Sequence, residues 1–292
     1  MSVGIAEVQD FWNGNPCQSD LSQRTDRREY FEEIARRRFH GREWHVPTVA
    51  QFGAFAAKDV LEIGCGIATD GVEFARRGAR YVGIDLTPNS IELARERFTL
   101  LNLEGRFEVA NAEERIPFDD DSFDHIYSFG VIHHSPDTRA IVDEMHRVLR
   151  PGGTFTVMVY NRSSINYRIE IVFLRKTLRL FLYPKGMPRL VSKMTGFPEW
   201  KLFGHQQRLR AGHPMSKEEW VSMNTDGPQC PLAKVYNQQE AQELFGRFRE
   251  VRQEVWEFNS DHWPFIRRLI PLNVERAVGR LWGWHRIIYG RK

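Results

Sequence analysis

The sequence contains only three cysteines, no long apolar run and little excess of charge of either sign. Cys17, Cys65 and Cys230 form no Cys-x-x-Cys pair and lie in no Cys/His cluster, which argues against a disulfide framework and against a zinc site. The most apolar stretch, 169–183, is interrupted by basic residues and is too short to span a bilayer. The N-terminus lacks the basic start and apolar run of a signal peptide. We therefore expect a cytoplasmic protein that binds no metal.

Charge is nearly balanced, with 41 Lys and Arg against 38 Asp and Glu and a formal net charge of +3. Nucleic-acid-binding domains usually carry a strongly basic patch, so this total argues against one. Residues 162–210 do combine basic and aromatic side chains, as RNA-binding surfaces can, but no added RNA-binding module accompanies them. A small molecule is the partner that this composition favours, and a homo-oligomer is compatible with it.

Residues 57–160 alternate short apolar runs with amphipathic helical stretches. The pattern predicts strands at 59–63, 81–84, 107–110, 124–129 and 154–160, with helices at 69–77, 88–98 and 138–149. Strands that alternate with helices over short connections form a parallel sheet covered on both faces. The sequence therefore predicts an α/β fold with a doubly wound, mostly parallel sheet.

A glycine pair lies where the first predicted strand ends, in the segment EIGCG at 62–66. Glycines at such a point let the backbone approach a ligand closely, and the helix that follows presents N–H groups to it. Asp85, at the tip of the next strand, is placed to accept hydrogen bonds from both hydroxyls of a ribose. The alternative is structural, because a tight strand–helix turn followed by an acid with no role in binding gives the same pattern. Position 69 is threonine, so the third glycine of the NAD-binding fingerprint is missing, while 108–113 is spaced to wall an adenine.

Four segments in order, VLEIGCGIATD, VGIDLTPNSIELA, NAEERIPFDDDSFDHIYSFGVIHH and RVLRPGGTF, resemble the motifs of class I S-adenosylmethionine-dependent methyltransferases. The likeness covers about residues 58–160 and is greatest to the ubiquinone/menaquinone-biosynthesis-like (methyltransferase type 11) group. It implies a Rossmann-like fold, S-adenosylmethionine as methyl donor and S-adenosylhomocysteine as product. It also implies that the glycine turn cradles the methionine part and that Asp85 holds the ribose. The cofactor-binding residues implied are Glu62, Gly64, Cys65, Gly66, Asp85, Leu86, Asn111, Ala112, Glu113 and Phe129.

The chain departs from the family pattern at two positions. Ala68 replaces the third glycine of E-x-G-x-G-x-G, which crowds the turn slightly. Asn111 replaces the usual aspartate of the adenine motif; it keeps a carbonyl acceptor but adds donors and loses a charge. We expect weaker cofactor affinity at most.

The remainder of the sheet is expected near the C-terminus. A helix at 238–245 and strands at 250–258 and 284–289 supply what a seven-stranded methyltransferase sheet still needs, the last strand being antiparallel. We therefore divide the chain into a helical N-terminal cap (1–56), a cofactor-binding core (57–160), a substrate-binding insertion or lid (161–234) and a C-terminal completion of the sheet (235–292). The last part contains a further insertion at 259–282.

Two adjacent histidines, His133 and His134, are the candidate catalytic residues. They follow the fourth strand, at the carboxyl edge where substrates enter such sheets, and an imidazole there can take a proton from a hydroxyl or an amine. The alternative is structural, with one histidine capping the loop and the other packing beside the cofactor.

Candidate substrate-binding residues are spread over the chain, and for each a structural role is the alternative. Tyr30 is either part of a lid or a core contact, and the arginines at 36–38 suit a solvated helix face better than an anion site. The other candidates are Tyr160, Asn161, His205 and Tyr236. The NTDGP segment at 224–228 is first of all a turn.

The leading hypothesis is an enzyme that methylates an oxygen, nitrogen or carbon of a small or lipid-like molecule. A second hypothesis is a peripheral membrane protein, because 173–183 and 263–284 combine Trp, Leu and Arg as interfacial helices do. An RNA methyltransferase and a relative that uses the cofactor for other chemistry are the remaining alternatives.

Overall fold

The computed structural model describes residues 3–195, 199–212, 216–227, 229–258 and 270–292. The chain forms two compact units. The core unit consists of Met1–Val159, Gln238–Glu254 and Arg286–Lys292, and the insertion unit of Tyr160–Asn237 and Val255–His285. Within the described ranges, no helix combines the length and the apolar character that crossing a bilayer requires.

The secondary structure follows the order that the alternating pattern predicts. The strands are β1 Asp59–Ile63, β2 Arg80–Asp85, β3 Arg106–Val109, β4 Phe123–Phe129, β5 Leu149–Asn161, β6 Val235–Tyr236, β7 Arg249–Trp256 and β8 His285–Arg291. The helices are α1 Ile5–Gly14, α2 Arg27–Arg37, α3 Val46–Ala50, α4 Thr69–Arg76, α5 Pro88–Leu100, α6 Thr138–Val148, α7 Lys176–Leu178, α8 Met187–Thr195, α9 Glu199–Arg210, α10 Lys217–Thr225, α11 Gln238–Leu244 and α12 Leu272–Trp282. Shorter 3₁₀ or π segments connect several of them.

Seven strands lie in the order β3-β2-β1-β4-β5-β8-β7. The first five pair in parallel, with Leu61 opposite both Val82 and Ile126. Strand order reverses between β1 and β4, and in open α/β sheets ligands bind outside the carboxyl ends of the strands at such a reversal.

β8 runs antiparallel to β5, as expected. Lys292, after the end of β8, exchanges hydrogen bonds with Gly152 and Gly153 near the start of β5, while the Trp284 carbonyl accepts from the Asn161 N–H at the other end. The α/β doubly wound fold is confirmed. The number of strands differs slightly from the seven expected, because Val235 and Tyr236 form a short eighth strand beside Tyr160 and Asn161.

Local sequence explains where the elements start and stop. β1 buries its last four positions, which include the apolar residues Val60, Leu61 and Ile63, as a strand covered on both faces requires. Asp26 caps α2 by accepting from the Glu29 N–H, and Asp137 caps α6 by accepting from the Ala140 N–H. Pro88 opens α5, where its missing N–H costs nothing.

The core beneath the site consists of buried aromatic and aliphatic side chains. Phe52, Phe74 and Tyr127 are in mutual ring contact, and this cluster continues to Tyr81 and Phe98 through other buried side chains. A second cluster is made by Tyr30, Phe31 and Ile34 of α2 with Ile67 of the glycine turn. Helix α2 therefore packs directly against the segment that was predicted to bind the cofactor.

The insertion unit is largely helical, although its sequence shows no clear period. A helical stretch of Asn166–Arg175 leads into α7 and then into Arg179–Leu182. Ser216 and Glu219 form a capping box that starts α10, which ends at Thr225 just before Gly227 turns the chain with φ of +114°. Of the predicted insertion 259–282, residues 259–269 lie outside the described residues.

Candidate cofactor site at the carboxyl ends of the strands

The glycine turn between β1 and α4 is held against the end of β2. The backbone N–H groups of Gly64 and Cys65 both donate to the Ile84 carbonyl, at 2.8 and 3.0 Å. Gly64 has φ of +71°, and a Cβ there would lie 2.3 Å from the Val131 side chain. No residue with a side chain fits this position without moving Val131, so the turn requires glycine here.

Ala68 closes the same turn in the left-handed region, with φ of +53° and ψ of 41°. This is the position where the family pattern has glycine, and the conformation costs an L-residue about 1–2 kcal/mol. The alanine side chain is fully buried. The expected crowding is therefore present as backbone strain at the start of α4.

Asp85 ends β2 and is tied to the glycine turn. Its carboxylate accepts hydrogen bonds from the Gly66 N–H at 2.9 Å, the Thr87 N–H at 2.9 Å and the Thr87 hydroxyl at 2.8 Å. Burial raises the pKa of Asp85, while these three donors act in the opposite direction. A carboxylate offers about four acceptor sites, so capacity remains for a further hydroxyl donor.

A buried polar network lies behind the turn. Arg38 donates to both oxygens of Asp70, at 2.7 and 2.6 Å, and the Tyr127 hydroxyl donates to the same carboxylate at 2.8 Å. The Tyr81 hydroxyl donates to Glu62 at 2.5 Å, which supplies the partner that a carboxylate at a buried strand end needs. Burial and the nearby Asp70 carboxylate raise the pKa of Glu62 well above its usual range.

The arginine run at 36–38 is not uniformly solvated. Arg36 and Arg37 are exposed, with 69% and 54% of the side chain accessible, whereas Arg38 is 7% accessible. Burial alone would lower the pKa of Arg38, but Asp70 and Glu43 outweigh it and raise the pKa well above the ordinary value. The prediction of a solvated face was right for the first two arginines and wrong for the third.

The adenine-motif segment is organised by its own side chains. The Asn111 carbonyl oxygen accepts from the Glu113 N–H at 3.0 Å, and its amide donates to Glu114 at 3.1 Å. Glu113 in turn accepts from the Ser135 hydroxyl and, at 3.0 Å, from the Asp137 N–H. Asn111 therefore shapes the loop with the carbonyl that was expected to face the adenine amino group.

All ten residues predicted to bind the cofactor line one open cavity of about 1070 Å³ in the core unit. The cavity lies at the carboxyl ends of β1, β2 and β4. Its lining also includes residues that sequence reasoning did not assign to the cofactor, among them Ile5, Val8, Trp12, Gln18, Arg38, Asp70, Ser90, Val131 and Ser135. The spacing of Ile5, Val8 and Trp12 on one face of α1 was the available signal for three of them.

The two candidate catalytic histidines occupy different positions in one 3₁₀ turn, Ile132–His134. His134 lines the cavity, and its ring meets the edge of Trp12 with centroids 5.0 Å apart. His133 is fully buried and is not among the lining residues. Of the two, His134 is the one with access to a ligand in this cavity.

None of the predicted substrate-binding residues is among the residues that line this cavity. Tyr30 lies in the core unit and belongs to the cluster that contains Ile67, a lining residue, but it does not line the cavity itself. Its hydroxyl donates to the Ser19 carbonyl at 2.7 Å. Tyr160, Asn161, Tyr236 and His205 all belong to the insertion unit. The contacts of Tyr30 favour a structural role for this residue.

Within the insertion unit, the end of β5 forms a second polar group of contacts. Tyr160 stacks on Trp284 with centroids 4.5 Å apart and donates to Asp226 at 2.9 Å. Asn161 donates to the Gly283 carbonyl at 2.8 Å and pairs with Tyr236.

His205 lies elsewhere in the insertion unit, with its ring centroid 5.8 Å from that of Trp220. Burial, together with nearby cationic side chains, lowers the pKa of His205 to about 4. The imidazole is therefore neutral at pH 7.

The residues present fit S-adenosylmethionine. The glycine turn leaves room along the backbone, and Asp85 keeps acceptor capacity at the tip of β2. Leu86, Ala112 and Phe129 give the cavity apolar walls where a flat ring system can pack.

Comparison with known proteins agrees with this geometry. Residues 61–157 match a family described as methyltransferase domain. The ubiquinone biosynthesis O-methyltransferase of Psychrobacter cryohalolentis is 31% identical over 180 residues, covering 59% of this chain and 69% of that protein. The sterol 4-C-methyltransferase of Caenorhabditis elegans is 33% identical over 132 residues, covering 44% of this chain. The chain matches only 39% of the length of that relative.

Solved structures extend the likeness to the fold. The geranyl diphosphate C-methyltransferase of Streptomyces coelicolor superposes with a TM-score of 0.54 at 13% identity, covering 98% of this chain and 96% of that one. Together with the four ordered motifs, these matches identify the chain as a member of the class I S-adenosylmethionine-dependent methyltransferases, with S-adenosylmethionine as its cofactor.

Proposed function

We propose that this chain transfers the methyl group of S-adenosylmethionine to an oxygen, nitrogen or carbon of a small, lipid-like acceptor. The observation that carries the proposal is the convergence of Gly64, Gly66, Asp85, Asn111 and His134 on one cavity at the point where strand order reverses. A site at that point is where open α/β sheets bind nucleotides. The named relatives, which act in ubiquinone biosynthesis and on sterols, support a hydrophobic acceptor.

Each cofactor residue has a proposed role. The turn from Glu62 to Gly66, including Cys65, gives the methionine part room, and Asp85 accepts from the ribose hydroxyls. Leu86, Ala112, Glu113 and Phe129 wall the adenine, beside a loop that Asn111 holds in shape.

The protein's contribution to the reaction is positioning, exclusion of water and proton transfer. The bound cofactor supplies an electrophilic methyl group on a sulfonium. Ile5, Val8 and Trp12 of α1 line the cavity with apolar surface, which keeps water from competing with the acceptor. His134 is the residue placed to accept a proton from an acceptor hydroxyl or amine, and His133 supports its turn from behind.

The acceptor side is proposed to involve the segment 161–234. It follows directly after β5, and its sequence differs most from the alternating pattern of the core. Tyr160 and Tyr236, which flank this segment, are polar aromatics that stay partly exposed, whereas Asn161 and His205 within it are buried. We expect the two tyrosines to contact the acceptor more directly than the other two residues.

A transfer assay with methyl-labelled S-adenosylmethionine tests the proposal. The purified chain is incubated with a phenol, a sterol and an amine acceptor, and separately with bulk tRNA. We expect label in an organic-soluble small-molecule product and none with Asp85→Ala. Label in tRNA alone would contradict a small-molecule acceptor. Tight binding of the cofactor with no transfer to any of these acceptors would contradict this account of the acceptor.

A further inference from the structure

The insertion unit exposes large apolar side chains on neighbouring helical segments. Phe181, Tyr183, Leu190, Met194 and Trp200 have 62%, 58%, 49%, 67% and 57% of their surface accessible. We call these five residues, with the basic residues between them, the helical surface. Single exposed apolar residues need no explanation, but such a concentration over about twenty positions marks an interaction site.

Specific contacts join these segments into one piece. The Gln206 side chain in α9 donates to the carbonyls of Leu182 and Pro184, at 2.6 and 2.8 Å. Arg210 donates to the Tyr183 carbonyl at 3.0 Å, and Arg189 of α8 pairs with Glu199 of α9 at 3.3 Å. The exposed apolar residues therefore belong to helical segments that pack on one another, since α8 and α9 are also in contact.

Helix α8 shows how the surface is patterned. Leu190 and Met194 are four residues apart, so they lie on the same helix face, and both are exposed. Arg189 and Lys193 have the same spacing and border that face, while Pro188 is buried. The outward side of α8 thus combines aliphatic side chains with flanking cations, as interfacial helices do.

Charge in this region is strongly one-sided. Residues 176–210 contain eight lysines and arginines and a single acid, Glu199, in a chain whose net charge is only +3. The rest of the chain is therefore net negative. Long basic side chains can lay their stems along apolar surface and keep the charged end in a polar layer.

We propose that the helical surface docks on an anionic lipid bilayer. Cations complement anionic headgroups, and Leu190 and Met194 can enter the boundary between headgroups and acyl chains. A nucleic acid would use the cations and the aromatic rings but would leave the aliphatic residues without a role. A two-fold contact between copies would place like charges opposite each other. The inference goes beyond methyl transfer and brings the enzyme to where lipid-like acceptors dissolve.

Vesicle co-sedimentation of the full chain is the direct test. Vesicles of phosphatidylcholine with about one-third phosphatidylglycerol are compared with pure phosphatidylcholine, at low and at moderate salt. Because each basic residue near an anionic surface adds to the attraction, we expect at least about tenfold tighter binding to the anionic vesicles. Salt should weaken that binding. Equal binding to both vesicles, or none to either, would overturn the proposal.

Two double variants separate the apolar and the basic contributions. Arg189→Glu with Lys193→Glu, and Leu190→Ser with Met194→Ser, should each lower binding to anionic vesicles about tenfold or more. The matched control is Arg36→Glu with Arg37→Glu on the exposed face of α2, which makes the same charge change and should bind as the wild type does.

Circular dichroism checks that the helices of the variants form, and cofactor affinity should keep its wild-type value because none of the changed residues lines the cavity. Weaker vesicle binding by the control variant as well, or wild-type vesicle binding by both helical-surface variants, would contradict the proposal that the helical surface docks on the bilayer. A complex with tRNA that survives moderate salt would show that the helical surface binds nucleic acid instead of a bilayer. A dimer of the wild type that the serine variant dissociates would show that it binds a second copy of the chain.

Discussion

The backbone N–H of Gly66 donates to the Asp85 carboxylate at 2.9 Å, linking two residues that are 19 positions apart. The residue proposed to hold the ribose is therefore also a structural support for the glycine turn. Because Thr87 donates to the same carboxylate twice, the aspartate is fixed in direction before any ligand arrives. Preorganised acceptors of this kind lose little freedom on binding.

Arg38 is predicted to be essential for stability. Three hydrogen bonds to the Asp70 carboxylate are described, two from Arg38 and one from the Tyr127 hydroxyl. Arg38→Met removes the first two and leaves a buried carboxylate without its cation, which costs about 3–5 kcal/mol of stability. Urea unfolding should show this loss in the free energy of unfolding. Arg37→Met, at the exposed last residue of α2, is the control and should change stability by less than about 0.5 kcal/mol. Equal effects would contradict the buried network.

Ala68 is predicted to be a site where glycine stabilises the protein. The left-handed conformation costs alanine about 1–2 kcal/mol, whereas the extra freedom of glycine in the unfolded chain costs about 0.5–1 kcal/mol. Ala68→Gly should therefore raise the free energy of unfolding by about 0.5 kcal/mol. Ala75→Gly, inside α4, should instead lower it by about 1 kcal/mol. A loss at Ala68 comparable to that at Ala75 would show that the turn is unstrained.

Asp59 gives stability a defined pH dependence. Hydrogen bonds from Arg80 and Arg150 lower the pKa of Asp59 from 3.8 to about 2 in the folded protein. The ionised form thus favours folding above the unfolded pKa, and this contribution disappears as pH falls from about 4 to about 2. Asp59→Asn should cost about 1 kcal/mol at pH 7 and nothing at pH 2, by unfolding at a series of pH values. A difference that stayed constant over this range would contradict the ion pairs.

His134 is predicted to act on turnover rather than on cofactor binding. Because we propose that it accepts the acceptor's proton, His134→Gln should lower kcat by at least about 100-fold, with cofactor affinity little changed. His133→Gln is the matched comparison, because His133 lies outside the cavity lining and should alter stability more than kcat. Wild-type turnover by the variant that carries both His133→Gln and His134→Gln would contradict general-base catalysis by either histidine.

The parts of the fold that sequence predicted are those specified locally. β1 was predicted at 59–63 and lies there, because a short segment with Val60, Leu61 and Ile63 next to turn residues is sufficient to indicate a buried strand. Gly64, Gly66 and Asp85 were identifiable because a turn that approaches a ligand restricts residue type at fixed spacing.

The spacing of residues along the sequence could not predict contacts between distant segments. The pairing of Arg38 with Asp70 joins residues 32 positions apart. A run of arginines predicts a solvated face, because the sequence does not show which distant acid will pair with one of them. The short strand Val235–Tyr236 has no period of its own and exists through its pairing with β5. Helix α8 of the insertion unit keeps Leu190 and Met194 on the outside, so the usual link between apolar spacing and a buried face fails there.

Calorimetric titration of S-adenosylmethionine into the wild type, Asp85→Asn and Asp85→Ala tests the central claim most directly. Asparagine keeps the shape and a carbonyl that can accept from Gly66, so we expect weakened binding for Asp85→Asn and no measurable binding for Asp85→Ala. Circular dichroism and urea unfolding should show that both variants remain folded. Wild-type affinity in folded Asp85→Ala would contradict the assignment of this cavity as the cofactor site.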